Sequence, residues 1–203
     1  MKCRVLIIIL FSLACVTVKA QEYAFELWHD GKVILVSGDT LKGLIKYDLQ
    51  QDLLQYDNKH GNIQAYTARK VLFFEIFDAT VEQYRQFYAL PYNASTGYKA
   101  LVFFELLAEG KMTLLSRESM EYRTYSSAYY YGSYSRLVLV YKYFLLDESG
   151  TIKEFLGKKG ELMTMMGKRA GAVEDYIKQN KLKLEDRYDF AKIVAYYNSF
   201  FKT

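Results

Sequence analysis

The chain has 203 residues, of which 51% are hydrophobic, 17% aromatic and 25% charged, with a single proline. This composition excludes a disordered or collagen-like chain, because such chains lack the apolar side chains that build a core. The formal charge is +4, but Lys2, Arg4 and Lys19 precede the first acid, and the remaining 24 basic and 23 acidic residues nearly balance. Bulk charge therefore gives no support for nucleic-acid binding.

The first 20 residues have the pattern of a signal peptide. Lys2 and Arg4 precede an apolar run from Val5 to Val18, and small residues occupy the third and first positions before a cleavage point after Ala20. The run has 14 residues, whereas a helix needs about 20 to cross a bilayer. We therefore expect an exported protein, periplasmic or extracellular, that begins at residue 21 after processing.

The two cysteines both lie within this N-terminal segment. Cys15 follows Ser12-Leu13-Ala14, so a lipoprotein acylated at Cys15 is the alternative form of export. Cleavage after Ala20 removes both Cys3 and Cys15, so the processed chain contains no thiol. Disulfide frameworks, thiol nucleophiles and thiolate metal sites are then excluded.

The segment from residue 31 to residue 155 is typical of a β-rich domain. Short runs of β-branched and aromatic residues alternate with turns that contain Gly, Asn and Asp. The pattern predicts ten strands over 32–36, 41–47, 53–56, 62–67, 71–77, 81–90, 99–107, 111–125, 136–146 and 151–155. Strands 71–78 and 101–108 are apolar on nearly both faces, which predicts that both are covered on each side.

The C-terminal segment is typical of helices. The pattern predicts a helix over 158–166 ended by Gly167, a second around residues 172–177, and a third with Asp186 as its N-cap. We thus expect a mainly β fold, an antiparallel meander arranged as a sandwich or barrel, with a C-terminal helical tail, α+β overall. The predicted organisation is a signal peptide at 1–20, a β-rich domain at 21–157 and a helical tail at 158–203 packed on it.

Histidine and metal chemistry have little support. His29 and His60 are the only histidines, no nucleophile-elbow motif is present, and the two have no metal-ligand spacing. We predict no metal site and no cofactor. The tail has ten basic and six acidic residues, a balance compatible with peripheral contact at an anionic membrane.

Glu75 and Glu105 form the candidate catalytic pair. If their strands were neighbours, two carboxylates could share an apolar surface where burial would permit acid–base chemistry. We favour the alternative, in which each carboxylate pairs with a tyrosine hydroxyl or with an arginine beneath a helix, or reaches solvent at the end of a strand.

Tyrosine is the most unusual feature of the composition. Eight of the 20 tyrosines lie between residues 122 and 143, and the segment 125–135 contains only Tyr, Ser, Ala and Gly. Such a segment cannot build a core of its own. It is typical of a hairpin tip that binds a protein or glycan through large, adaptable side chains, and equally of an insertion that is disordered or folded back on its own sheet. The candidate ligand-binding residues are Tyr125, Tyr129, Tyr130, Tyr131 and Tyr134.

Several short motifs resemble those of small exported proteins of unknown function from Gram-negative bacteria. They are Trp28-x-x-Gly31-x-Val33, Gly38-Asp39-Thr40-Leu41-x-Gly43-x-Ile45-x-Tyr47, Phe103-Phe104-Glu105 and Tyr196-Tyr197-Asn198-Ser199. The resemblance implies an exported β-rich body with a C-terminal helical tail, and it implies no activity and no site residue.

Three functions follow from these observations as hypotheses. The first is a non-catalytic interaction module of the cell envelope that contacts a protein or glycan through the tyrosine-rich segment. The second is an enzyme that uses Glu75 and Glu105. The third is a small β protein associated with the outer membrane, suggested by the many aromatic strands.

Overall fold

The computed structural model describes residues 23–93, 97–127 and 132–201. Ten strands are followed by three α-helices, which confirms the predicted α+β fold with its helical tail. The elements are β1 (His29–Leu35), β2 (Thr40–Asp48), β3 (Leu53–Asp57), β4 (Ile63–Thr67), β5 (Val71–Asp78), β6 (Gln83–Tyr92), β7 (Ala100–Ala108), β8 (Thr113–Ser127), β9 (Gly132–Leu146), β10 (Ile152–Phe155), α1 (Lys159–Met166), α2 (Ala170–Asn180) and α3 (Arg187–Ser199).

All ten strands belong to one antiparallel sheet, in the order β10-β9-β8-β7-β6-β5-β1-β2-β3-β4. The chain runs as two meanders, and β5 joins them by pairing with β1 instead of β4. Only residues 68–70 connect β4 to β5. Three residues bridge about 15 Å between strand ends, whereas four strand spacings in a flat sheet amount to about 19 Å. The sheet must therefore coil strongly, so that β4 returns towards β5.

Two glycines permit strands of this coil to approach closely. Gly31 on β1 and Gly43 on β2 lie directly opposite each other. A Cβ atom on Gly43 would overlap the carbonyl oxygen of Asp57 on β3, and one on Gly31 would overlap that of Glu75 on β5. Strand glycines of this kind mark places where backbones approach more closely than side chains allow.

The inner face of the coiled sheet carries two apolar cores. One core fills the coil formed by β1–β7 and centres on Ile45, Phe74 and Phe87. The other lies where the three helices cover β7–β10, and it centres on Leu114 and Phe190. The helical tail thus covers the part of the sheet that does not close on itself.

The prediction that two strands are covered on both faces is confirmed only for the middle of one of them, because Leu101 at the start of β7 is 38% exposed. On β7, Phe103 packs in the inner core, while Phe104 is fully buried on the outer face against Leu115 and Phe144. On β5 the prediction is wrong, because Phe77 on the outer face is 37% exposed, and Leu72, at the irregularity in the pairing with β1, is 50% exposed. The outer face of β5 lies on the convex side of the coil, away from the small cluster around Phe104.

Helix α3 is held at both ends by side-chain hydrogen bonds. As predicted, Asp186 caps its N-terminus, and the carboxylate accepts hydrogen bonds from the backbone N–H groups of Tyr188 and Asp189, both at 3.0 Å. Near the other end, the buried amide of Asn198 accepts a bond from the N–H of Met112 at 2.9 Å and donates to its carbonyl at 2.8 Å. These contacts fix the helix against the turn between β7 and β8.

The replacement Gly43→Ala tests the coil. We expect it to lower the free energy of unfolding by about 1–3 kcal/mol, because the methyl group meets a neighbouring backbone that cannot yield without a strand shift. The matched control is Gly171→Ala in α2, where the added Cβ meets nothing within 4 Å and where alanine favours the helix by up to about 1 kcal/mol. Urea denaturation measures both, and equal stabilities of the two variants would contradict this account of Gly43.

Candidate functional site

A buried arginine lies on the inner face between the two apolar cores. Arg85 is only 5% exposed, and it precedes the fully buried Phe87 on the same face of β6. Because side chains alternate along β6, Arg85 and Phe87 both point inward, and the guanidinium lies beside the apolar core that fills the coil of β1–β7. An unpaired charge in such a place would be strongly unfavourable.

Four side chains satisfy all five N–H groups of this guanidinium. Nε and Nη2 donate to the two carboxylate oxygens of Glu105, both at 2.8 Å, and Nη2 also donates to Glu118 at 2.5 Å. Nη1 donates to Asp78 at 3.0 Å and to the Tyr47 hydroxyl at 2.9 Å. The Tyr47 hydroxyl in turn donates to Glu118 at 3.0 Å. Five donors meet five acceptors, which is the full capacity of an arginine.

A second arginine joins this network from the helical tail. Arg187, the first residue of α3, donates to Glu105, and its guanidinium lies 5.0 Å from the ring centre of Tyr141 and 5.2 Å from that of Tyr188. Burial has the largest single effect on Arg187 and lowers its pKa, but the Glu105 carboxylate and Tyr141 together raise the pKa overall. We call the residues Tyr47, Asp78, Arg85, Glu105, Glu118 and Arg187 the arginine cluster.

The charges of the arginine cluster are strongly coupled. Burial has the largest single effect on Arg85 and disfavours its charged form, yet Glu105, Tyr47 and Glu118 together raise the pKa of Arg85 well above its usual value. Burial likewise opposes ionisation of Asp78, but hydrogen bonds from Thr80 and Arg85 hold its pKa below the usual value. Burial raises the pKa of Tyr47 well above its usual value. Neutral Tyr47 therefore acts as a hydrogen-bond relay between Arg85 and Glu118.

An open cavity of about 350 Å³ adjoins the arginine cluster. Asp78 and Arg187 line it together with Tyr23, Tyr141, Glu185 and Tyr188. Two buried polar atoms, Arg187 Nε and Ser116 Oγ, have no hydrogen-bond partner among the residues that the structure describes. The cavity has the size and the polar groups to admit a small polar molecule, while the charges beneath it are already paired with one another.

The two candidate catalytic carboxylates are not brought together. Glu75 lies opposite Gln86, and Glu105 lies opposite Phe87. Because Gln86 and Phe87 are successive residues of one strand, the two carboxylates point to opposite faces of the sheet. On the outer face Glu75 accepts a hydrogen bond from Gln86, which lowers its pKa, and Lys32 lies 3.0 Å away.

Glu105 adopts the alternative arrangement that we favoured. It pairs with an arginine beneath a helix, because Arg187 of α3 and Arg85 both bind it. Sequence reasoning named Glu105 but missed both arginines. The only signal for Arg85 was a cation within the alternating pattern of β6, which does not distinguish a buried face from an exposed one.

Other site types find no support in the described part of the chain. His29 is buried, and its ring nitrogens lie 2.7 Å from the carbonyl oxygen of Ala24 and 3.3 Å from that of Phe77. No group of three or more His, Cys, Asp or Glu residues suited to a metal ion occurs among the described residues. None of the described helices is long and apolar enough to cross a membrane.

Two of the five candidate tyrosines, Tyr125 and Tyr134, lie in the described part of the β8–β9 hairpin. Tyr129, Tyr130 and Tyr131 fall outside the described residues. Tyr125 and Tyr134 lie directly opposite each other, with stacked rings 5.6 Å apart, and the Arg136 guanidinium lies 4.8 Å from the Tyr125 ring centre. The structure thus places two tyrosines and one arginine on one face of the hairpin.

The hairpin that carries them extends beyond the rest of the sheet. β7 pairs with β8 only at residues 114–116, and β10 pairs with β9 only at residues 143–146. Residues 117–127 and 132–142 therefore form a two-stranded ribbon whose outer edges have no strand partner among the described residues. We call this ribbon the arm.

Comparison with known proteins finds no relative. No protein-family model matches the chain, and neither a curated protein nor a solved structure is similar to it at a significant level. The resemblance to exported Gram-negative proteins thus remains a prediction from motifs, and functional inference depends on the geometry alone.

The replacement Arg85→Met tests the role of the arginine cluster. We expect it to lower the free energy of unfolding by about 3–5 kcal/mol at neutral pH, because it leaves three buried carboxylates without their main cation. The control Lys59→Met breaks an exposed ion pair with Asp30 and should change stability by less than about 1 kcal/mol. A loss at Arg85 no larger than at Lys59 would contradict the central role of this cation.

The lowered pKa of Asp78 predicts a specific acid sensitivity. A carboxyl group whose pKa is lower in the folded state stabilises the protein above its unfolded pKa of about 4, and this contribution disappears as the pH falls through the folded value. We expect the stability difference between wild type and Asp78→Asn to be largest at neutral pH and to shrink below about pH 4. Urea denaturation across pH measures the difference, and a difference independent of pH would refute the assignment.

Proposed function

We propose that the protein is an exported, non-catalytic interaction module of the bacterial cell envelope, and that its arm binds a glycan through the face that carries Tyr125, Tyr134 and Arg136. We call this face the distal face. The observation that carries the proposal is the arm itself, a ribbon with two free edges that presents aromatic side chains. Export is expected from the N-terminal pattern of residues 1–20.

The chemistry of the distal face suits a carbohydrate. Tyrosine rings offer flat apolar faces with a polar tip, and they lose little rotamer entropy on binding. An arginine beside them can donate several hydrogen bonds to hydroxyl or carboxylate oxygens. Tyr125, Tyr134 and Arg136 provide this combination on one face, and Tyr122, on the opposite face of the ribbon, is 77% exposed.

An envelope protein is the second candidate partner. The free edges of the arm favour it, because exposed backbone N–H and C=O groups at a strand edge can pair with a strand of another chain. The two candidate partners require different parts of the arm. Binding of a glycan depends on the tyrosine rings, whereas pairing with a strand of another protein depends on the backbone N–H and C=O groups at a free edge.

The double replacement Tyr125→Ser/Tyr134→Ser tests the proposal. We expect it to weaken cosedimentation with purified cell-wall glycan about tenfold or more, because aromatic contacts dominate the binding energy of such surfaces. The expected change in melting temperature is small, about 2–4 °C at most, because the pair contributes about 1 kcal/mol or less to the ribbon. A companion variant replaces Tyr129, Tyr130, Tyr131 and Tyr134 by serine.

The matched control is Tyr84→Ser combined with Tyr98→Ser. These tyrosines are 70% and 66% exposed and lie outside the arm, so glycan binding should be unchanged. Wild-type binding by both arm variants would overturn the proposal. Loss of a captured envelope protein, with no glycan bound by the wild type, would select the second candidate.

A further inference from the structure

Two like charges face each other in the middle of the arm. Arg123 on β8 lies directly opposite Arg136 on β9, and both are exposed. Like charges at directly opposite positions destabilise an antiparallel pair. Neither guanidinium forms a salt bridge with any residue that the structure describes. Arg136 lies over the Tyr125 ring, whereas Arg123 has neither a carboxylate nor an aromatic ring as a partner among the described residues.

The arm also carries a carboxylate near its free edge. Glu121 is two residues before Arg123 on the same face of β8, and its side chain is 41% exposed. One of its oxygens, Oε1, lies 2.9 Å from Lys142 Nζ on the neighbouring strand. Glu121 and Arg123 thus form an acidic and a basic position at equal spacing on either side of Tyr122.

Symmetry restricts how two such edges can pair. A two-fold axis that relates two antiparallel strands is perpendicular to the sheet, so it preserves the face of every side chain and places one residue opposite its own copy. An axis at Glu121 or at Arg123 would oppose two identical charges. An axis at Tyr122 places Glu121 opposite Arg123 of the second copy, and Arg123 opposite Glu121 of that copy.

The edge of β9 offers no comparable match. Between residues 132 and 142 its only charged residues are Arg136 and Lys142, so two copies would bring together cations without a carboxylate. Closer to the body, the edge of β8 is occupied, because Arg117 binds Asp52 of the β2–β3 turn at 2.8 Å. The free part of β8, from residue 119 onwards, is therefore the edge that fits a second copy.

We propose that two copies of this chain pair through their arms, β8 against β8 in antiparallel register about Tyr122. The pairing joins two ribbons into one four-stranded sheet. Isolated two-stranded ribbons are only marginally stable in water, and a sheet of three or more strands is better supported. It covers a free edge, gives each Arg123 a carboxylate, and brings the exposed Tyr122 side chains of the two copies together.

A charge-reversal cycle tests the register. Glu121→Arg and Arg123→Glu each place two pairs of like charges across the interface, and each should raise the dimer dissociation constant about tenfold or more. The double variant Glu121→Arg/Arg123→Glu restores opposite charges and should return the constant to within about threefold of wild type. Sedimentation equilibrium measures the constants, and Glu148→Arg is the control, an exposed charge reversal outside the arm.

A crosslink tests the same register without altering the charges. Tyr122→Cys, in a chain with Cys3→Ser and Cys15→Ser, should form a disulfide-linked dimer on mild oxidation, because the two thiols would be directly opposite. Leu137→Cys is the matched control, since Leu137 lies opposite Tyr122 on β9 but away from the β8 edge. It should remain monomeric under the same conditions.

Two outcomes would overturn the proposal. One is a wild-type chain that stays monomeric in sedimentation at up to about 1 mM. The other is a dimer whose dissociation constant is unchanged by both single charge reversals. That result would mean that another surface joins the two copies, and that Arg123 binds a different anion, such as an acidic glycan. Because glycan binding depends on Tyr125 and Tyr134, loss of dimerisation alone would leave the proposed function standing.

Discussion

The buried guanidinium of Arg85 is the constraint to which most of the inner face adjusts. It must find five acceptors without water, and it finds them on β2, β5, β7 and β8. Such a set can form only if the sheet coils, because β2 and β8 are separated by four other strands in the sheet order. The coil in turn needs the close approach of strands that Gly31 and Gly43 permit.

The same network joins the helical tail to the sheet. Arg187 at the start of α3 binds Glu105, which already holds Arg85. Apolar packing alone would allow the helices to slide on the sheet, whereas a buried ion pair accepts only one position. Buried ion pairs contribute little net stability compared with apolar packing. We therefore interpret the arginine cluster as a device that specifies the arrangement of the two cores.

The arm follows from where this packing ends. β8 and β9 continue beyond the residues that β7, β10 and the helices cover, so within the described part of the chain no strand or helix is layered on their distal ends. Their side chains change accordingly, from the buried Leu114 and Phe144 to serine, threonine, tyrosine, arginine and glycine over 122–127 and 132–136. Such an extension adds little to the stability of the fold. We therefore assign the binding function to the arm and not to Glu75 and Glu105.

Features that depend on residues close together in the chain were predictable, whereas features that depend on the pairing of distant strands were not. The ten strands and three helices follow from alternation, turn residues and the Asp186 cap, all of which act between near neighbours in the chain. Glu105 was identified because a charge in an apolar strand is conspicuous. Arg85 was missed because one face of β6 resembles an exposed face until its neighbours are known. Cover on both sides of β5 was wrongly predicted, since hydrophobicity does not reveal that its outer face is convex.

The amino-acid sequence alone thus accounts for the class of fold, the position of the helical tail and the tyrosine-rich end of the hairpin, because each depends on residues that are close in the chain. Tertiary structure decided which strands are neighbours, which face of each strand is inside, and that Glu75 and Glu105 point to opposite faces. Strand order decided these features because β5 pairs with β1, and that pairing depends on the coil closing over residues far apart in sequence.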